Sequence, residues 1–139
     1  MAGYIKKNSA PDDEIFGESG AVPLIALLAD RKIALNQADT NTMLFSSGLI
    51  DKEELFSRLK TSKLKFVISR PYVTLGNDEA FIDFLKNNCG RIGLYREKYE
   101  ADFFIFVCNE HLQDYINKFA TNTTNSSSYD SVEKEVVIN

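Results

Sequence analysis

The chain has 139 residues, 44% of them hydrophobic and 26% charged, with 7 Gly and 3 Pro, which is the composition of one ordinary globular domain. Its 16 Lys and Arg against 20 Asp and Glu leave a net charge of −4, the wrong balance for a nucleic-acid module, whose affinity draws on clustered positive charge. Collagen, coiled coil, a disulfide scaffold and wholesale disorder are excluded on the same grounds.

Residues 2–8 read as a short helix. Residues 14–17 read as a strand after the Pro11-Asp12-Asp13 turn, which is expected to be solvated. Residues 21–30 are apolar on nearly every side and predict a buried helix. The run is too short for a membrane span, which needs about 20 apolar residues, and the N-terminus lacks the apolar core of a signal peptide. Residues 32–35 are a second short strand, and residues 36–48 read as a long polar loop. Residues 51–60 predict a helix with Leu55, Phe56 and Leu59 inward, started by Asp51 with Glu54 three residues on. Its charge runs from acidic to basic, as a helix dipole favours.

Residues 64–69 form the clearest strand, ended by Pro71. Residues 78–88 predict a helix that buries Phe81, Ile82 and Leu85, capped by Asn77 and stopped by Gly90. Residues 91–97 and 102–108 make a hairpin turning near Tyr99 and Glu100. Its Phe103-to-Val107 run is a core strand, since no basic residues interleave it. Residues 109–120 form a last helix capped by Asn109, with Leu112, Tyr115, Ile116 and Phe119 on one face. The Asn/Ser/Thr-rich stretch 121–128 reads as a flexible tail, and residues 132–138 either add an edge strand or stay loose. The alternation predicts an α/β, Rossmann-like layered mixed sheet, its first three strands parallel and its last two an antiparallel hairpin. The domain is expected over residues 1–120, with a polar tail over 121–139.

In such a sheet ligands bind beyond the carboxyl ends of the strands. Three loops leave those ends and bring Glu18, Ser19, Asp39, Asn41 and Arg70 toward one rim. Carboxylates, an amide, a hydroxyl and a guanidinium suit a sugar or another polyhydroxyl ligand. Each residue also has a structural use: Ser19 as cap of the helix after it, Asp39 and Asn41 as turn formers, and Arg70 as an ion-pair partner of Glu18 or Asp39. The Gly17 and Gly20 pair is no phosphate fingerprint. The sole histidine, His111, has no neighbouring nucleophile, so no catalytic triad is expected. No metal site or cofactor is implied either. Cys89 and Cys108 flank the hairpin in a register that sets Cys108 against Arg91, and so they read as two free thiols. Asn122 and Asn125 fit the Asn-X-Ser/Thr pattern of N-glycan acceptors.

The order of these segments carries a resemblance. Residues 11–17 (Pro-Asp-Asp-Glu-Ile-Phe-Gly) run into Pro23-Leu24-Ile25-Ala26-Leu27-Leu28. The Ala38-Asp39-Thr40-Asn41 loop follows, continuing to Ser46-Ser47-Gly48, and then Leu59-Lys60 through Lys65-Phe66-Val67-Ile68. A helix ending near Asn87-Asn88-Cys89 and the hairpin from Tyr95 to Val107 complete the series. This order resembles the soluble C-terminal region of GT-C type membrane glycosyltransferases. Those enzymes use polyprenyl-phosphate sugars and include protein O-mannosyltransferase-like and aminoarabinose-transferase-like families. The resemblance spans residues 11–108. It implies an extracytoplasmic domain, non-catalytic on its own, whose partners are the membrane-spanning part of the same enzyme and a polyprenyl-linked sugar or acceptor. The family's catalytic acid lies in a loop near the start of the full enzyme, so none of these residues inherits that role. The alternative expectation is a stand-alone cytoplasmic α/β module that binds a small molecule or a protein.

Overall fold

The structure, a computed structural model, describes the backbone of residues 1–70, 74–95, 102–123 and 136–138, and the side chains of 1–70, 75–95 and 102–117. Pro71, the hairpin turn at Tyr99 and Glu100, and Asn125 lie outside these residues.

Six strands form one sheet in the order β2-β1-β3-β5-β4-β6. β1 (Glu14–Gly17), β2 (Lys32–Ile33) and β3 (Leu64–Ser69) are parallel. β5 (Phe103–Cys108) runs antiparallel to both β3 and β4 (Cys89–Tyr95). β6 (Val136–Ile138) joins β4 in parallel at the far edge, so this part of the expected tail belongs to the sheet.

Helices cover both faces. On one lie α1 (Ala2–Lys7), α2 (Val22–Ala29) and α6 (Glu110–Thr123). Ile5, Val22, Ala26 and Ala29 pack there on Ile15, Phe66, Ile68 and Ile105, with Leu112 and Tyr115 against the same cluster. Burial raises the pKa of Tyr4 and of Tyr115 in this layer, because a phenolate loses its hydration. On the other face, α4 (Lys52–Thr61) and α5 (Glu79–Asn88) bury Leu55, Phe56, Leu59, Phe81 and Phe84 against Phe16, Val67 and Cys108. A short α3 (Thr42–Ser46) inserts Phe45 into the same cluster. Residues 36–48 are therefore not one polar loop, because the sequence Met43-Leu44-Phe45 supplies an anchor.

Several boundaries differ from expectation for local reasons. Asp51 caps α4, accepting from the N–H groups of Glu53 and Glu54 at 2.9 and 3.2 Å. α5 is capped by Asp78, not Asn77: its Oδ1 accepts from Phe81 N–H at 3.1 Å, and its Oδ2 meets Lys52 Nζ at 2.7 Å. Gly90 does not stop that helix. It lies within β4 opposite Val107, where a Cβ would sit 2.7 Å from Leu112 Cδ1. Asn109 does not cap α6 with its side chain, whose Nδ2 donates instead to Leu59 O at 2.9 Å. α6 runs on through residues 121–123, which places Asn122 in a helix.

The cysteines are bonded. The hairpin pairs Tyr95 with Phe103, one residue off the expected register, and a one-residue bulge at Ile92 adds a second shift, so that Cys89 rather than Arg91 stands opposite Cys108. Asn109 N–H donates to Asn88 O at 2.9 Å. That makes residues 89 and 108 a non-hydrogen-bonded pair, the kind in which facing strands come closest. Their Cα atoms are 4.0 Å apart and a disulfide joins them.

α2 departs most from expectation. Leu24, Leu27 and Leu28 point away from the sheet and are exposed, so the helix is not buried all round. An outer-layer helix buries one face only, and small residues (Ala26, Ala29) occupy that face.

Candidate functional site at the carboxyl edge

The chain leaves β1 for β2 on one side and returns from β2 to β3 on the other. The switch point therefore lies between β1 and β3, at Gly17 and Ser69, where open α/β sheets bind ligands. Backbone geometry there is tight. Gly17 has φ +134°, and a Cβ on it would stand 1.8 Å from Ile68 O, so only glycine fits. The next residue, Glu18, donates its N–H to the same oxygen at 2.9 Å.

Gly17 O in turn accepts the Thr40 hydroxyl at 2.8 Å, and Thr40 is fully buried. This bond pulls the loop after β2 back over the end of β1. Asp39 and Asn41 flank Thr40, so they reach the same edge as Glu18 and Ser19. Arg70 follows Ser69 at the end of the neighbouring strand. The structure thus brings all five expected rim residues to one edge. Three of the four buried polar or charged residues among those described, Glu18, Thr40 and Ser69, lie here as well.

Each residue also does local work. Glu18 is only 6% exposed, and its carbonyl accepts from Ala21 and Val22 N–H at 3.0 and 2.8 Å. The Glu18 carbonyl opens the α2 turn, and the Ser19 hydroxyl makes no cap hydrogen bond to that helix. Asp39 Oδ1 accepts from Asn41 N–H at 2.9 Å, and Asn41 Oδ1 caps α3 through Met43 N–H at 3.0 Å. Both side chains are otherwise exposed. The Arg70 guanidinium lies 4.6 Å from the centroid of the Phe103 ring, a cation–π contact that fixes its position on the α2 side of the sheet. Where the chain enters the rim loop, Leu35 and Asn36 both have positive φ, 55° and 56°. A leucine there is strained, and such strain concentrates at ligand clamps.

Thr40 is the residue that sequence reasoning missed. It stands inside a run of seven polar or small residues, and nothing local says which of them turns inward. A groove of about 350 Å³ opens on the other side of the sheet, lined by Ser69, Ile82, Leu85, Phe104 and Phe106 among others. It is mainly apolar, and it touches the rim at Ser69 and Arg70.

The opposite, amino edge is built differently. Asp13 is buried there rather than solvated. Its carboxylate accepts from Ala10 N–H at 2.7 Å, pairs with Lys65 Nζ at 3.0 Å and lies 3.6 Å from His111 Nε2. Beside it, Lys63 pairs with exposed Asp12. The pairing lowers the carboxyl pKa and raises that of the ammonium, through their hydrogen bond and charge. His111 is engaged at this edge and takes no part in the rim.

Among the described residues no group of three or more His, Cys, Asp or Glu is placed to hold a metal ion, and no helix is long and apolar enough to cross a membrane. Compared with known protein families, curated proteins and solved structures, the chain matches none. The arrangement is suited to recognition: a buried carboxylate, a fixed guanidinium, an exposed carboxylate and amide, and a half-buried hydroxyl along one edge.

Proposed function

We propose that the chain is the soluble extracytoplasmic domain of a polyprenyl-phosphate-sugar-dependent membrane glycosyltransferase, and that its carboxyl-edge rim binds the acceptor or the sugar of the donor. The domain contributes binding and not bond breaking. The observation that carries the reading is the convergence of Glu18, Ser19, Asp39, Asn41 and Arg70 at the β1/β3 switch point, with the loop of Asp39 and Asn41 held there by the Thr40–Gly17 bond. Hydroxyl-rich ligands need bidentate acceptors and donors on a rigid edge, and this edge supplies both. The Cys89–Cys108 disulfide supports the compartment, because such bonds persist in oxidising surroundings. The resemblance over residues 11–108 supplies the enzyme class.

The test is Asp39→Asn in the full-length enzyme. Asparagine keeps the oxygen that accepts from Asn41 N–H, so the loop stays folded while the charge goes. The expected result is a KM raised roughly tenfold with kcat little changed, as loss of uniform substrate binding requires. Unaltered kinetics would take the loop out of substrate binding.

A further inference from the structure

We infer that the outer face of the α1/α2 layer docks on an anionic lipid bilayer surface. The inference does not rest on the glycosyltransferase reading. Leu24, Leu27 and Leu28 are 60%, 76% and 61% exposed, and they form one continuous outward face on α2. α1 packs beside α2 on the same side of the sheet. Its own outward positions, Gly3, Lys6 and Lys7, repeat at helical spacing and are exposed. Apolar and basic groups therefore share one surface, which is the pattern of interfacial docking elements.

Charge identifies the occupant. The chain is net −4, yet neither α1 nor α2 contains an acidic residue. Arg31, just past α2, ties the ends of the two helices together by donating to Lys6 O, Ser9 O, Ser9 Oγ, Ala29 O and Asp30 O. All five donors of this guanidinium are thereby used within the chain, so the exposed cations left for an outside partner are Lys6 and Lys7. Asp30, exposed at the C-terminal end of α2, is the acid that faces this group. Lys32 lies beside the carboxylate of Asp12, whose pKa its charge helps to lower. The remaining cations attract anionic headgroups, each basic residue adding to surface affinity. A second copy fits less well. A face-to-face contact between two copies would bring the like-charged Lys6 and Lys7 of each toward the other, which costs free energy.

The experiment is co-sedimentation of the full chain with vesicles of mixed phosphatidylcholine and phosphatidylglycerol, against vesicles of phosphatidylcholine alone. Binding is expected to the mixed vesicles and to weaken with salt. Lys6→Gln and Lys7→Gln should each cost roughly fivefold in partitioning. Combined Leu24→Gln, Leu27→Gln and Leu28→Gln should cost more than tenfold while leaving the thermal midpoint close to that of the parent, since exposed positions carry little stability. Three results would overturn the inference: no sedimentation with mixed vesicles, binding indifferent to both sets of substitutions, or a concentration-dependent dimer in light scattering that the leucine substitutions abolish.

Discussion

The two helical layers use their apolar residues in opposite ways. Under the sheet, α4 and α5 spend nearly all of theirs on the core. Phe56 lies 5.9 Å from Phe81 and 5.5 Å from Phe84 between ring centroids, and both helices begin at aspartate caps. Above the sheet, α1 and α2 start without side-chain caps. α2 faces the core with Val22, Ala26 and Ala29 and turns its leucines outward. One layer is built for stability. In the other, α2 leaves Leu24, Leu27 and Leu28 exposed.

The strongest challenge to this contrast is Phe81→Ala. Phe81 is fully buried against Phe16 and Phe56, so its truncation should cost about 3–5 kcal/mol in urea unfolding. A loss no larger than that of an exposed α2 leucine would erase the distinction. A smaller effect sharpens it. Asp78→Ala removes the α5 cap and the partner of Lys52 together, and should cost about 1–2 kcal/mol. Asp78→Asn keeps an oxygen for Phe81 N–H and should recover most of that loss, which separates the cap from the ion pair. The leucine substitutions on α2 belong at the bottom of the scale for stability, within about 0.5 kcal/mol, although they stand at the top for lipid binding.

The sequence made the sheet legible because its signals are local. The run Leu64-Lys65-Phe66-Val67-Ile68 reads as a strand without tertiary help, and the strand–helix alternation implies parallel pairing of the first three strands. Asp51 was readable as a cap for the same reason. What escaped depends on distant partners. The bulge at Ile92 moves Cys89 opposite Cys108, and a bulge leaves little trace in a pattern of Gly, Arg and Ile. The run 21–30 is apolar all round, which fits a buried helix and equally one that leaves an apolar face exposed. Only the position of α2 in an outer layer distinguishes them. At the rim, the loops were legible from strand order alone. The inward turn of Thr40 onto Gly17 O was not, since a threonine among polar neighbours gives no direction.

The proposed reading sets recognition at the carboxyl edge and leaves the amino edge structural. It is tested most directly by titrating the isotopically labelled chain with a hexose 1-phosphate and with a short-chain polyprenyl-phosphate hexose, following backbone amides by NMR. The account predicts shifts concentrated at Glu18, Ser19, Thr40, Asn41 and Arg70, with Asp13 and His111 unmoved. Shifts centred on the amino edge, or no shifts at millimolar ligand, would contradict it.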